Sequence, residues 1–180
     1  MEVFNDIIQL KNSTVALGFF DGVHIGHQAL INKVVKTAKL HNTKSVLITF
    51  KKRPAETFWK DVKYITNNKE KEFLISSFDV DYMIELSFDE DLMNMTALDY
   101  LKNVTNNLHP YTIITGFNHT FGKNKIGNPF FLKEQSSKLK YDYIEIPAII
   151  HNNEIVSSTL IKKYLLNGDI ENANQMLGHN

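Results

Sequence analysis

Apolar runs and amphipathic stretches alternate along this chain. Short apolar, β-rich runs predict strands, and stretches with apolar residues at helical spacing predict helices. The predicted strands are residues 10–20, 45–50, 82–86, 111–115 and 143–146, and a hairpin is predicted at 149–156. Because strand and helix alternate at the spacing of βαβ units, the pattern predicts an α/β, Rossmann-like doubly wound parallel sheet.

Helix signals lie between these strands. The first predicted helix runs from Gly26 to about His41, and two short helices close the chain. Thr66 and Thr96 are predicted N-caps, and Pro129 suits the first turn of a helix that reaches Leu139. In the helix after Thr96, one apolar side is predicted to hold Leu98, Tyr100, Leu101 and Val104.

Three unusual segments follow predicted strands, at residues 18–28, 49–59 and 116–127. Doubly wound sheets bind ligands outside the carboxyl ends of their strands. The three segments are therefore expected at one edge of the sheet, around one site.

The first segment reads GFFDGVHIGHQ, a glycine turn between a strand and a helix. His24 and His27, three positions apart at the helix start, can project to the same side. Free N–H groups and the helix dipole make such a turn a site for phosphate. Two imidazoles beside it suit the charge that develops when a nucleotide phosphate is attacked. A turn of this kind also occurs without a ligand in many α/β proteins.

The segment from Gly116 reads GFNHTFGK, and Gly127 follows it. Its glycines allow the backbone to approach a ligand closely. Asn118 offers an amide, Phe121 a stacking face and Lys123 a charge for phosphate. The alternative is a long surface loop with a buried aromatic anchor.

A further stretch of interest begins at Ser157, before the first of the two closing helices, and reads SSTLIKK. Three consecutive hydroxyls before a helical pattern supply a cap and can also bind phosphate oxygens, with Lys162 or Lys163 adding charge. Alone, this is also an ordinary helix start.

Composition narrows the function classes. The formal net charge is zero, so no overall field attracts nucleic acid or an anionic membrane. The chain has no cysteine, which excludes thiolate chemistry and zinc–thiolate sites. No stretch has the length and apolarity of a membrane span or a signal peptide, and a cytoplasmic protein of one domain is expected.

Arginine occurs once, at Arg53, in a loop after a predicted strand, and this strand is predicted to neighbour the one that leads to His24. A guanidinium grips phosphate with two parallel hydrogen bonds, which lysine cannot do. Arg53 is therefore a candidate phosphate ligand, more specifically for the phosphate of a second substrate. A solvated loop charge is the alternative.

Together these strings resemble the adenylyltransferase module of bacterial FAD synthetase (riboflavin kinase/FMN adenylyltransferase), within the wider HxGH nucleotidyltransferase superfamily. The family patterns G-x-F-D-G-V-H-x-G-H-Q, T-F-x-x-x-P, G-x-[ND]-[FH]-x-F-G and S-S-T-x-I-R match residues 18–28, 49–54, 116–122 and 157–162. The order is the family's, and the resemblance covers nearly the whole chain.

The resemblance implies that ATP and FMN, with Mg²⁺, give FAD and pyrophosphate. It implies that His24 and His27 hold the ATP phosphates, and that Asn118 contacts the phosphate region. The residues implied to shape the nucleotide turn, close on the phosphates and form the flavin pocket are Gly18, Phe19, Asp21, Gly26, Gly116, Ser157, Ser158, Thr159, Lys162, Phe58 and Phe121. The metal ligands and the oligomeric state stay open.

Three departures from the family pattern are visible. Lys162 stands where arginine is usual, and Arg53 where histidine is frequent. The family usually continues into a β-barrel riboflavin kinase domain, whereas this chain ends at Asn180, so flavokinase activity is not expected. Two other functions stay open: nucleotidyl transfer to another phosphate, such as a pantetheine or alcohol phosphate, and non-catalytic flavin-nucleotide binding.

Overall fold

Six parallel strands form the central sheet of the computed structural model, which describes residues 1–51 and 63–179. The strand order is β1-β4-β3-β2-β5-β6, and every neighbouring pair is parallel. The strands are β1 (Glu2–Phe4), β2 (Ser13–Leu17), β3 (Lys44–Phe50), β4 (Tyr82–Leu86), β5 (Pro110–Gly116) and β6 (Asp142–Ile146). The predicted doubly wound α/β fold is confirmed.

Helices follow the strands and cover both faces of the sheet. They are α1 (Ile25–His41), α2 (Asn68–Ser76), α3 (Glu90–Asn94), α4 (Ala97–Leu108), α5 (Pro129–Leu139), α6 (Ser158–Leu166) and α7 (Ile170–Leu177). A small antiparallel hairpin of β7 (Ile150–His151) and β8 (Glu154–Ile155) precedes α6. Within the described ranges, no helix is both long and apolar enough to cross a bilayer.

The order in which the chain adds strands to the sheet reverses at β2. From β2 the chain builds β3 and β4 on one side, and then returns to add β5 and β6 on the other. Leu17, near the end of β2, is in register with Ile48 on β3 and Thr115 on β5. Such a switch point leaves a crevice at the carboxyl ends of the two strands that flank it. The predicted segments 18–28 and 116–127 both open into this crevice.

Successive side chains of the central strands enter opposite cores. On β2, Val15 and Leu17 pack under α4 and α5, whereas Ala16 packs under α1. A third, smaller core joins the hairpin to the last two helices, with Val156, Ile161, Ala173, Met176 and Leu177 as its members. Because both faces of β2 are covered, the strand reads as a continuous apolar run rather than an alternating one.

Some local predictions differ from the structure. The first strand is shorter than predicted, and β1 and α3 were not predicted. The cap of α2 is Asn67, in a capping box with Glu70, because the Thr66 hydroxyl instead accepts a hydrogen bond from the Gly22 N–H. Leu98 is 37% exposed, so the buried side of α4 turns away from it. Thr96 caps α4 as predicted.

Candidate active site

Two adjoining cavities occupy the crevice at the switch point. The narrow cavity, of about 280 Å³, has a polar wall of histidines, serines and threonine around the start of α1. The wide cavity, of about 760 Å³, is lined largely by aromatic and apolar side chains from the ends of β3, α3 and the loop after β5. The lining residues that they share are Phe19, Asn118, His119, Thr120 and Thr159.

The turn after β2 has an unusual backbone. Phe20, Gly22 and Val23 all have positive φ angles, at 58°, 77° and 38°. A Cβ at Gly22 would lie 2.9 Å from Ile65, so both its backbone angle and its surroundings require glycine. A Cβ at Gly18 would lie 2.8 Å from the buried Phe20 ring. The sequence therefore folds here into a tight turn that brings the backbone up to the narrow cavity.

The turn ends where α1 begins, and His24 is the N-cap of this helix. Its Nδ1 accepts a hydrogen bond of 3.3 Å from the His27 N–H. The two imidazole rings stack, with centroids 3.6 Å apart and planes at 15°. Gly26 leaves room for this arrangement, because a Cβ there would already lie 3.2 Å from the His24 ring. The two predicted histidines and Gly26 thus line one wall of the narrow cavity.

The charge state of this pair follows from burial. Desolvation lowers the pKa of His24 to about 4, although Asp21 opposes the shift. His24 is therefore neutral at pH 7, and since Nδ1 accepts a hydrogen bond, its proton is on Nε2. A neutral imidazole with an Nε2–H can donate a hydrogen bond to an anionic oxygen.

The Asp21 side chain stabilises the turn through hydrogen bonds and an ion pair. It is fully buried, and Oδ1 accepts a hydrogen bond of 2.9 Å from the Ile65 N–H. Oδ2 lies 2.6 Å from the Lys162 Nζ, which places Lys162 on the turn in this structure rather than on a cavity wall. The Ser158 hydroxyl donates to the Asp21 carbonyl at 3.0 Å. Asp21 thus joins the turn to α6.

The C-terminal segment also supports the turn. The Gln28 amide donates to the carbonyls of Val23, at 3.0 Å, and Leu177, at 2.8 Å. The His179 Nε2 lies 2.8 Å from the Gly22 carbonyl oxygen. The sequence pattern contained Gln28, but only the fold shows that it connects the turn to the end of α7.

The three hydroxyl-bearing residues at the start of α6 have different roles: one caps the helix, one contacts the turn and one lies between the cavities. The Ser157 Oγ accepts a hydrogen bond from the Leu160 N–H and caps the helix. Ser158 holds Asp21, and Thr159 lies at the junction of the two cavities. All three line the narrow cavity.

The loop after β5 uses most of its glycines for packing. A Cβ at Gly122, where φ is 70°, would lie 2.6 Å from the Ala97 backbone, and one at Gly127 would lie 2.6 Å from the Phe121 ring. At both positions the close approach predicted for a ligand is made by the protein itself. Gly116 is different, because a Cβ there would meet nothing nearer than 3.7 Å and the residue lines the narrow cavity.

Phe121 is both a core residue and a cavity wall. It is 8% exposed and packs against Tyr100 and Phe131, with ring centroids 5.4 and 6.1 Å away. Its ring also stacks near His119, at 5.7 Å, and lines the wide cavity. The expected aromatic anchor and the expected pocket residue are therefore the same side chain.

Asn118 and His119 stand at the junction of the cavities. Asn118 is exposed, with its amide available to a ligand from either side. Burial lowers the pKa of His119 to about 4, and its Nε2 has no hydrogen-bond partner among the described residues. The sequence gives no chemical reason to single out His119, although this residue lies within the matched pattern.

Two candidate residues, Arg53 and Phe58, lie outside the described residues. A further one was missed: Lys71, a buried lysine of α2 whose ammonium lies 5.2 Å from the Phe19 ring centroid. Its position one turn before the buried Ile75 was the available signal.

Within the described part of the chain, no group of three or more His, Asp or Glu side chains could hold a metal ion.

Comparisons with known proteins agree with this geometry. The sequence model of the FAD synthetase family matches residues 6–160. A bifunctional riboflavin kinase/FMN adenylyltransferase of Buchnera aphidicola (Schizaphis graminum) is 35% identical over 99% of this chain and 60% of its own length. An FAD synthetase of Listeria monocytogenes is 27% identical over 94% of this chain and 70% of its own.

Among solved structures, a Streptococcus pneumoniae chain titled as a macrolide-efflux protein aligns with a TM-score of 0.86 and 25% identity. The alignment covers 98% of this chain and 60% of that one. The present chain thus spans about 60% of the length of the first curated relatives that it matches. With a family match over most of its length, the chain belongs to the FAD synthetase family.

Proposed function

We propose that this chain transfers AMP from ATP to FMN, giving FAD and pyrophosphate. The observation that carries the proposal is the pair of joined cavities, one suited to phosphates and one to a flat aromatic ring system. Their shared boundary is where the bond between the two nucleotides would form. The family's name and the matched patterns support the same reaction.

ATP would occupy the narrow cavity. Its phosphates would meet the His24 Nε2–H, the first N–H groups of α1 and the hydroxyl of Thr159. The Gly116 backbone and the apolar Ile146 and Ile149 form the other side, where an adenine ring would pack. These groups are arranged by the fold before any substrate binds, which is the condition for electrostatic stabilisation of a transition state.

FMN would occupy the wide cavity, with its ring system among Phe50, Phe88 and Phe121. Its phosphate would reach the boundary at Asn118, and Arg53 is proposed to hold it there. An oxygen of this phosphate attacks the α-phosphorus of ATP, a new P–O bond forms, and the bond to the β-phosphate breaks. The phosphate is already ionised at neutral pH, so no general base is required.

The chain's contribution is therefore positioning and charge stabilisation. His24 and His27 would stabilise the negative charge that builds on the departing pyrophosphate. Lys162 would have to exchange Asp21 for a phosphate oxygen to add its charge, and we propose that it does so when ATP is bound. Ser157 and Ser158 hold α6 and the turn in the geometry that this exchange needs.

Mg²⁺ is proposed to enter with ATP. The side chains around the narrow cavity are mainly imidazoles and hydroxyls, and the buried carboxylate of Asp21 is already paired with Lys162. Mg²⁺ usually keeps several waters and binds substrate phosphates in such sites. When bound, it would neutralise charge on the triphosphate, and the triphosphate would supply most of its ligands.

Label transfer from [α-³²P]ATP tests the proposal. With FMN as acceptor, labelled FAD and unlabelled pyrophosphate are expected. Label on a pantetheine or alcohol phosphate, but not on FMN, would support the other nucleotidyltransferase, and FMN binding without transfer would support a non-catalytic module. We propose a cytoplasmic location, which fractionation of cells would test.

A further inference from the structure

Lys71 carries a charge that is buried next to the site. It is 2% exposed, and its Nζ lies 3.0 Å from the Glu85 Oε1. It also donates to the Phe50 carbonyl at 2.9 Å and to the Thr49 Oγ1 at 3.4 Å. The ammonium is thus directed at these three groups, and Lys71 is not among the described residues that line either cavity. Any effect of Lys71 on the reaction is therefore expected to pass through the groups that it contacts.

Two of those groups lead directly to the cavities. The Thr49 hydroxyl donates to the Phe19 carbonyl at 2.9 Å, while it accepts from Lys71. The Lys71 Nζ also lies 5.2 Å from the centroid of the Phe19 ring, within the range of a cation–π interaction. Phe19 is therefore held through both its backbone and its ring, and Phe50 through its carbonyl.

The aromatic residues held in this way belong mainly to the wide cavity. Phe50 lines that cavity and meets the Phe88 ring edge-on at 5.9 Å. Phe19 lines both cavities and stacks against Tyr64, with centroids 5.6 Å apart. The narrow cavity instead takes most of its shape from residues 20–24 and α1, and the hydrogen bonds that hold this turn are made with residues before α2, in α6 and at the end of the chain.

We infer that Lys71 is a positioning residue that sets the aromatic wall for the flavin through Phe19, Phe50 and the hydroxyl of Thr49. This inference rests on the proposed function, since it names the FMN side of that site. Its consequence is asymmetric: loss of Lys71 weakens the use of FMN more than the use of ATP. Glu85 acts only as the counter-ion that keeps the ammonium charged in a buried place.

Stability and positioning can be separated with two variants. Lys71→Met leaves the Glu85 carboxylate buried without its cation and is expected to lower the melting temperature. Lys71→Met/Glu85→Gln removes both charges and is expected to recover most of that loss. In both variants, KM for FMN is expected to rise about tenfold, a change equivalent to about 1.4 kcal/mol, with KM for ATP changed less than threefold. Lys69→Met, on the exposed side of the same helix, is the matched control.

The inference is overturned if the double variant has wild-type KM for FMN, or if KM for both substrates follows the melting temperature. Thr49→Val offers a test in which no buried charge is removed, since it breaks the link that the Thr49 hydroxyl makes between Lys71 and the Phe19 carbonyl. A KM for FMN that does not rise in this variant would also contradict the inference. The dissociation constant of FMN, from quenching of flavin fluorescence, is measured in parallel. If wild-type protein binds FMN but transfers no label, the proposed function fails while this binding still decides the role of Lys71.

Discussion

The two cavities share an edge of the sheet but are constructed differently. The narrow cavity is shaped by main-chain geometry, with three positive φ angles within the four residues 20–23 and a buried carboxylate that hydrogen-bonds to the backbone. The wide cavity is shaped by side chains, because aromatic rings from separate elements meet around an exposed loop. Changes to the turn that shapes the first cavity should therefore alter turnover and stability together, whereas changes to exposed side chains of the second should alter affinity with little loss of stability.

The largest effect is expected from His27→Ala. His27 lies in the first turn of α1 against the His24 ring, where leaving-group charge would develop. Removing one such contact typically costs about 10²–10³ in rate, and FMN affinity should change much less. Steady-state kinetics measure the effect, and His41→Ala, at the other end of the same helix, is the control. Wild-type kcat would remove His27 from the mechanism.

A pair of glycine substitutions separates main-chain constraint from contact with a ligand, with Gly22 in the turn after β2 and Gly116 at the end of β5. Gly22→Ala places a side chain at a φ of 77° and 2.9 Å from Ile65, so it should lower the free energy of unfolding by at least about 1–2 kcal/mol. Gly116→Ala meets no close neighbour and should leave stability nearly unchanged. Because Gly116 lines the narrow cavity, its alanine variant should raise KM for ATP instead.

Urea unfolding and ATP kinetics on both variants test this contrast. Equal losses of stability would mean that the loop after β5 is as constrained as the turn after β2. Such a result would contradict the view that main-chain constraint at this edge of the sheet is concentrated in the turn after β2.

Asn118→Ala should weaken the use of FMN while the fold survives. The side chain is exposed at the junction of the cavities, so its loss would remove the proposed contact to the FMN phosphate and little packing. A rise of about tenfold in KM for FMN is expected, which corresponds to about 1.4 kcal/mol. Asn106→Ala, on the exposed side of α4, is the control. A large fall in melting temperature with unchanged FMN affinity would show that Asn118 is structural.

The two buried histidines predict a pH dependence of stability. The pKa values of His24 and His119 are about 4 in the folded protein and about 6.5 when unfolded, so between these values the unfolded chain binds more protons. The free energy of unfolding should therefore rise with pH across this window. The part that the two histidines contribute should be lost as pH falls from about 6.5 to about 4.

His119→Phe removes one of the two groups and keeps a ring against Phe121. The slope of unfolding free energy against pH should fall by up to about 1.4 kcal/mol per pH unit near pH 5. Urea unfolding from pH 4.5 to 8 measures it, and at pH 8 variant and wild type should have the same slope. An unchanged slope near pH 5 would mean that His119 is not buried in its neutral form.

The smallest effect is expected from Arg53→Lys, which keeps the charge and removes the planar fork. If Arg53 binds the FMN phosphate, KM for FMN should rise a few-fold, in the range of one lost charge-assisted hydrogen bond. Lys52→Ala, beside it, should have little effect. Kinetics at limiting and saturating FMN and ATP decide it, and a silent Arg53→Lys would remove Arg53 from the site.

The parts of the fold that local chemistry fixes could be read from the sequence. Apolar runs located β3 and β4 closely, and the Thr96 cap and Pro129 marked the starts of α4 and α5. The three-residue strand β1 could not be identified, because it is recognisable only by its pairing with β4. The prediction that the strand before Arg53 neighbours the one before His24 is confirmed, since β3 pairs with β2.

The sequence by itself determined the strand–turn–helix around His24, because glycines, a capping residue and an apolar run act over a few neighbouring positions. Only the tertiary structure decided what stands around that turn. Lys162 meets Asp21 across 141 positions of the chain, Gln28 meets Leu177, and Lys71 meets Glu85 and the Phe19 ring. Such contacts depend on strand order and helix docking, which bring atoms of distant residues to between 2.6 Å and 5.2 Å of each other. Short-range patterns carry no information about them.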